Sequence, residues 1–310
     1  MQRSWQTVPV RHLDRGSRDV EVHTATWDGP TTGPVFVCVH GLGGSHVNWA
    51  LLGPLLARHG TVYAPDLGGF GLTAPTGRRA TVNDNLDLLA GFLRTVTPGR
   101  RVVLVGNSMG GLLSLLLAAR LPRLVAATVL VAPASPRPLN APFDRSVITN
   151  FAVMAVPGLG ERFLAHRQRR ATVEQQVRET MELCAADPDG LDAGVLAEHV
   201  EMARRRRELP HARSALLQGA RSLLVLTGPR APELWQAIAD VQAPTLLLHG
   251  GRDRLVTAAG MAAMARRRKD WTFVTYDDLG HIPMLEAPQR VADDIDRWLE
   301  RTEVLERLAG

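Results

Sequence analysis

Two cysteines, Cys38 and Cys184, are all that the 310 residues contain. They make neither a disulfide framework nor a metal-ligand spacing, and so few thiols suit a reducing compartment. Aromatic residues are scarce, at 5%, so Leu, Val and Ala must supply most of the packing. Their scarcity also bears on partners. The basic clusters Arg204–Arg207 and Arg266–Lys269 lack the interleaved aromatics that a base-stacking surface needs, which argues against nucleic acid. The most apolar stretch, Leu112–Ala119, falls far short of the roughly 18 residues of a membrane helix. Met1–Asp14 lacks the apolar run of a signal peptide. These absences lead us to expect a soluble, cytoplasmic protein without stable membrane insertion. Internal repeats and low-complexity linkers are missing too.

What remains is an ordinary globular composition, 45% apolar and 22% charged, with a formal net charge of +5. A chain of this length suits a single core carrying an insertion. The arginine runs, Arg167–Arg170 included, read as solvated helix faces, because burying them would be costly.

Strand and helix signals alternate along the first part. Thr7–Leu13 and Arg18–Trp27 have the pattern of a half-exposed antiparallel pair. Val35–Val39, Thr61–Ala64, Val102–Val105 and Val125–Val131 are short and apolar, as strands covered on both faces are. Helices are expected at Trp49–Arg58, Val82–Val96 (with Thr81 as N-cap) and Met109–Arg120. After Val131 a group of prolines, Pro133, Pro136, Pro138 and Pro142, opens a long segment that reads as helices at Phe143–Ala155, Thr172–Ala185, Gly194–Arg207 and Leu209–Leu226. Alternation resumes with Thr245–Leu248, Ala258–Arg267, Thr272–Tyr276 and a terminal helix from Pro288 to about Leu308. The expected fold class is therefore α/β, a mostly parallel central sheet flanked by helices. Its core would comprise residues 1–133 and 242–310, with 134–241 inserted as a helical lid over the carboxyl edge of the sheet, where ligands bind.

The central chemical signal is Gly106-Asn107-Ser108-Met109-Gly110, a G-x-S-x-G between a strand and a helix. So sharp a turn strains the nucleophile's backbone, and small residues on both sides avoid the clashes it would cause. The competing reading is a helix merely capped by Ser108. A second glycine motif, Gly41-x-Gly43, also follows a strand, but position 46 is His46 where a dinucleotide loop would need its third glycine.

With these motifs in order, the chain resembles the α/β-hydrolase superfamily, in particular serine esterases and lipases with a helical cap. The resemblance rests on His40-Gly41-Leu42-Gly43-Gly44-Ser45, Pro65-Asp66-Leu67-Gly68-Gly69-Phe70-Gly71, the Ser108 turn, and Gly280-His281-Ile282-Pro283-Met284-Leu285-Glu286. It implies Ser108 as nucleophile, His281 as general base and Asp253 as the acid that orients it, in the order Ser…Asp…His. It also implies backbone N–H groups of Leu42 and Met109 as the oxyanion hole. Asp277 and Asp278 lie nearer His281 in sequence but suit turn capping. The other position at which the family can carry the acid is Ala132-Pro133 here. His40 reads as a loop pin, His46 as a solvated loop residue that could alternatively line the pocket entrance, and His249 as buried scaffolding near the acid. Asp66 reads as a cap for loop N–H groups, and Glu286 as a cap for the last helix.

A serine at the turn excludes the carboxylate displacement chemistry of epoxide hydrolases and dehalogenases. The expected reaction is hydrolysis of a small-molecule, apolar ester through an acyl-enzyme, with no cofactor and no metal. Alternatives are a carbon–carbon bond hydrolase, although Ile282 stands where many of those carry Trp, a cofactor-free haloperoxidase, or a ligand receptor with vestigial turnover. A homodimer is left open. Apolar faces in the insertion (Phe151, Val153, Met154, Val156; Leu216, Leu217, Leu223, Leu224) are expected to line an acyl pocket, with the arginine runs outside it.

Overall fold

The computed structural model of the chain describes residues 1–12, 16–136, 145–228 and 231–304. Eight strands form one sheet: β1 (Gln2–His12), β2 (Gly16–Trp27), β3 (Phe36–Val39), β4 (Val62–Pro65), β5 (Val102–Asn107), β6 (Val125–Val131), β7 (Thr245–Gly250) and β8 (Thr272–Tyr276). Their order is β1-β2-β4-β3-β5-β6-β7-β8. β1, β2 and β4 pair antiparallel, and from β4 onward every pairing is parallel. This is the α/β arrangement that alternating strands and helices dictate.

Side-chain alternation along the central strands divides the core in two. Val37, Val39, Leu104, Leu130 and Leu247 face one layer. Phe36, Cys38, Val103, Val105, Val129, Val131, Leu246 and Leu248 face the other. Both sets are apolar because helices cover both faces. The helices are α1 (Gly53–Leu56), α2 (Val82–Val96), α3 (Met109–Arg120), α4 (Arg145–Ala155), α5 (Leu159–Arg170), α6 (Val173–Cys184), α7 (Ala193–Arg207), α8 (Ala212–Leu226), α9 (Pro232–Asp240), α10 (Ala258–Arg267), α11 (Pro283–Glu286) and α12 (Pro288–Arg301). α12 shows why such segments fold onto the sheet. Val291, Ala292, Ile295, Trp298 and Leu299 recur at helical spacing and are all buried.

Most elements lie where the sequence places them, and the departures have local causes. The helix expected at Trp49–Arg58 is instead a 3-10 turn, His46–Trp49, followed by the single turn α1. Gly53 packs against the ring of Trp27, where a Cβ would come within 2.8 Å of it. Helices α5, α9 and the single turn α11 add to the expected set. α5 is rich in arginine and short of apolar periodicity. α9 starts at Pro232 and packs on α3 through Leu234 and Ile238 in the core. Leu13, Phe143, Asp144 and Leu308 lie outside the described residues. Among the described residues no helix is long and apolar enough to cross a membrane.

Helices α4 to α9 lie between β6 and β7 in the chain. α8 packs directly on the loops after β3 and β4. Its Gln218 accepts from Ala80 N at 2.9 Å, and its Ser222 hydroxyl accepts from Val82 N at 3.0 Å, serving the first turn of α2.

Candidate active site

The loops after β3, β5, β7 and β8 converge at the carboxyl end of the parallel strands. Ser108 links β5 to α3 with φ 55° and ψ −119°, a left-handed conformation that costs energy in any residue but glycine. The surroundings enforce it. A Cβ on Gly110 would lie 2.0 Å from the Val39 carbonyl oxygen, and one on Gly106 would lie 2.4 Å from the Gly110 carbonyl. The helix can approach the sheet this closely only with glycine at both positions. Ser108 N donates to Val131 O at 3.1 Å, and Ser108 O accepts from Ala134 N at 2.9 Å. Although Ser108 sits at the N-cap position, its side chain makes no capping bond. Its hydroxyl is thus not consumed by the helix, which removes the simple-cap reading. Met109, next in sequence, opens α3, where N–H groups lack intrahelical acceptors.

His281 and Asp253 meet although 28 residues separate them. The buried His281 ring donates Nδ1–H to Asp253 Oδ2 at 2.7 Å. The other carboxylate oxygen accepts from Leu255 N at 2.7 Å and Val256 N at 2.9 Å. Burial raises the Asp253 pKa, but the adjacent imidazole and these hydrogen bonds outweigh it and hold the carboxyl below its ordinary range. His249 stands behind the acid, with Nε2 3.7 Å from Asp253 Oδ2 and bonded to the Val256 carbonyl. Asp277 and Asp278 are exposed, and Asp278 pairs with Arg290.

Ser108, His281, Leu42 and Asn107 all line one cavity of about 460 Å³. Among the described residues, the His281 side chain bonds Asp253 and makes no hydrogen bond to Ser108. Such contacts often close only with substrate bound. Phe151, Met154, Leu216, Leu223 and Leu224 supply apolar wall, as their helical faces predict. Leu217 instead joins the buried core, and Val156 is exposed.

Several residues near the site were assigned otherwise, or no role at all, from sequence. Asn107 Nδ2 donates to both Val131 O and His281 O, tying β5 to the histidine loop. Glu286 does not cap α12. Its carboxylate accepts from Gly280 N at 2.9 Å and from Ala186 N at 2.7 Å, joining the histidine loop to the α6–α7 connection. His281 N completes that junction by donating to Cys184 O at 2.6 Å. Burial pushes the Glu286 carboxyl above its usual range. His46 is buried rather than solvated. Together with His23 it donates a ring N–H to Asp66, which also accepts from His46 N and Leu72 N. His23, His46 and Asp66 form the grouping of metal-ligand type among the described residues. Their mutual hydrogen bonds account for them as a brace behind the loop after β3.

The arginine runs correct the expectation most. Arg204 and Arg205 are exposed and lie outside the cavity, the exposed Arg207 reaches its wall, and the half-buried Arg206 lines it and donates to the Gly43 carbonyl. At about 100° per residue, four successive positions span most of a helix's circumference, so a run of four cannot keep to one face. Arg167 also lines the cavity, paired with Glu179 at 2.6 Å.

Comparison with known proteins bears on what this arrangement belongs to. The sequence profile described as the alpha/beta hydrolase family matches residues 36–294. The chain belongs to that family. This hydrolase is 30% identical over 264 residues to the pimeloyl-[acyl-carrier protein] methyl ester esterase of Aromatoleum aromaticum, covering 84% of its own length and 95% of the relative. It is 27% identical over 281 residues to the dihydrolipoyllysine-residue acetyltransferase component of the acetoin cleaving system of Pseudomonas putida. There it covers 88% of itself but spans only 65% of the relative's length. In fold it is similar to a thermophilic esterase from Thermogutta terrifontis, with a TM-score of 0.69 and 24% identity over 98% of this chain and 100% of that one.

The loop after β3 is pinned by His40, fully buried, as the sequence suggests. Nδ1–H donates to Gly41 O at 2.8 Å, and Nε2 accepts from Leu67 N at 3.0 Å. Only the neutral ring can do both, and burial lowers its pKa to about 4. The unfolded chain takes up this proton near pH 6.5. Between about 6.5 and 4 the unfolded state therefore binds more protons, and stability falls as the pH drops. The expected loss is on the order of 3 kcal/mol across that window. The urea midpoint should thus decline from pH 7.5 to 5.0 more steeply in the wild type than in His40→Gln, whose amide can make both bonds uncharged. Parallel pH profiles for the two proteins would contradict this role.

Proposed function

We propose that this hydrolase is a serine carboxylesterase. The observation that carries the reading is one cavity reached by a strained, uncapped serine on a nucleophile turn and by a buried histidine already oriented by a buried carboxylate. In this reading His281 Nε2 takes the proton from Ser108 Oγ as the hydroxyl attacks the ester carbonyl. The tetrahedral oxyanion is held by the Leu42 and Met109 N–H groups. Asp253 fixes the Nδ1–H tautomer and steadies the imidazolium. His281 then protonates the departing alcohol, and water, activated by the same ring, releases the acid from Ser108. Similarity to an enzyme named as a methyl ester esterase supports the ester over other acyl substrates. Helices α4 to α8 act as the lid, covering the strand ends with a partly apolar wall, and α9 belongs with the core against α3.

The test is kcat/KM for p-nitrophenyl esters whose acyl chains run from about two to twelve carbons. Each buried methylene contributes about 0.8 kcal/mol, close to fourfold in rate constant. The expected profile rises steeply from acetyl to medium chains and falls once the cavity is filled. A flat profile would contradict an acyl pocket under α4 to α8 and favour the carbon–carbon bond hydrolase reading.

A further inference from the structure

Arg206, a half-buried cation on the cavity wall, has no counter-charge among the described residues. Arg206 projects from α7 on the same stripe as His199, Met202 and Ala203, all cavity residues at helical spacing. Its hydrogen bond goes to the carbonyl of Gly43, next in sequence to Leu42. It forms no ion pair among the described residues, whereas Arg167 on the same wall does; Arg207 and Arg213, also without one there, are exposed, and Arg207 donates to the Gln168 carbonyl. Burial lowers its pKa, and the carboxylate acting on it through space, Asp66, is already occupied by His23 and His46. His199 adds no second charge. Burial lowers its pKa, Nδ1–H is spent on the Val195 carbonyl, and Nε2 has no partner among the described residues.

A half-buried guanidinium facing a cavity whose described lining holds no carboxylate loses part of its hydration without compensation unless something else supplies the negative charge. A surface position would avoid the cost, as it does for Arg205 beside it. We propose that Arg206 is a substrate-recognition residue that binds a carboxylate at the far end of the acyl chain, so that the preferred substrate is a monoester of a short dicarboxylic acid. Arg206 is the half-buried member of the unpaired arginines on this wall, Arg207 and Arg213 being exposed, and its planar guanidinium fork can hold both oxygens of a carboxylate while the apolar wall takes the methylenes between. The proposal rests on the esterase reading and narrows its substrate class.

The experiment compares monomethyl glutarate, which carries the charge, with dimethyl glutarate, which does not. Two readouts are used: kcat/KM in the wild type, Arg206→Gln and Arg206→Lys, and calorimetric binding in Ser108→Ala with and without Arg206→Gln. Hydrogen bonds to charged groups are strong enough that the wild type should favour the charged ester by about tenfold or more. Arg206→Gln should abolish the preference by slowing the charged ester selectively, and Arg206→Lys should restore part of it. The same preference should appear in binding to Ser108→Ala and vanish in the double variant. Equal slowing of both esters by Arg206→Gln would show that Arg206 only props the Gly43 loop, and would overturn the proposal. So would the absence of any preference in the wild type. Turnover of both esters at the same rate would sink the carboxylate subsite alone. Selective binding without turnover of either would sink the esterase reading while leaving the subsite standing.

Discussion

Replacing Asp253 by Asn is expected to lower kcat for ester hydrolysis by a factor on the order of 10⁴ while leaving the protein folded. The amide oxygen can keep the two backbone bonds now made by Asp253 Oδ1, from Leu255 N and Val256 N. The amide nitrogen must then take the place of Oδ2 opposite His281 Nδ1, where it can only donate. The ring is forced into the tautomer protonated at Nε2, and an N–H there cannot accept the Ser108 proton. The buried carboxylate that would balance an imidazolium is lost as well. Asp278→Asn removes only an exposed carboxylate paired with Arg290, and exposed pairs contribute little, about 0–1 kcal/mol. Its activity should stay within roughly twofold of the wild type. Activity measured for both variants with one p-nitrophenyl ester decides the matter. A larger loss in Asp278→Asn would move the acid away from Asp253.

Ser108→Ala should cost still more, a fall in kcat on the order of 10⁵ to 10⁶, because the atom that forms the acyl bond is removed. The accompanying change in stability should be small. The Ser108 side chain makes no capping bond whose loss would leave a partner unsatisfied. Alanine also inherits the strained φ of 55° unchanged. The urea midpoint should therefore shift by no more than a surface-like substitution does, about 0.5 kcal/mol or less. Residual esterase activity near the wild-type level would place the nucleophile elsewhere.

How much of this was legible in the sequence depends on whether a residue's role is set by its neighbours in the chain or by distant ones. Helices α2, α3 and α10 and strands β6 and β8 were readable to the residue, since apolar periodicity and N-caps such as Thr81 are local signals. The turn at Ser108 was readable for the same reason, its glycines being dictated by the immediate strand-to-helix crossing. Asp253 and His281 were reached through the resemblance of their loops, and the structure brings the two side chains into contact. Glu286 could not be read this way. Its partners, Gly280 and Ala186, come together only when the α6–α7 connection lies across the histidine loop. His46 was misjudged because its burial depends on Asp66, which reaches it from the end of another strand. Arg206 was misjudged because composition treats an arginine run as one object, whereas a helix gives each member a different direction. The signal lies in the spacing of His199, Met202, Ala203 and Arg206, which puts all four on one stripe of the helix.

The central claim is that Ser108 is the nucleophile of an acyl-transfer site, and covalent labelling tests it most directly. A fluorophosphonate should react with the wild-type protein to give a single adduct, which peptide mass analysis places on Ser108. Reaction should slow greatly in Asp253→Asn, and no adduct should form in Ser108→Ala. An adduct on any other residue, or labelling that persists in Ser108→Ala, would contradict the account.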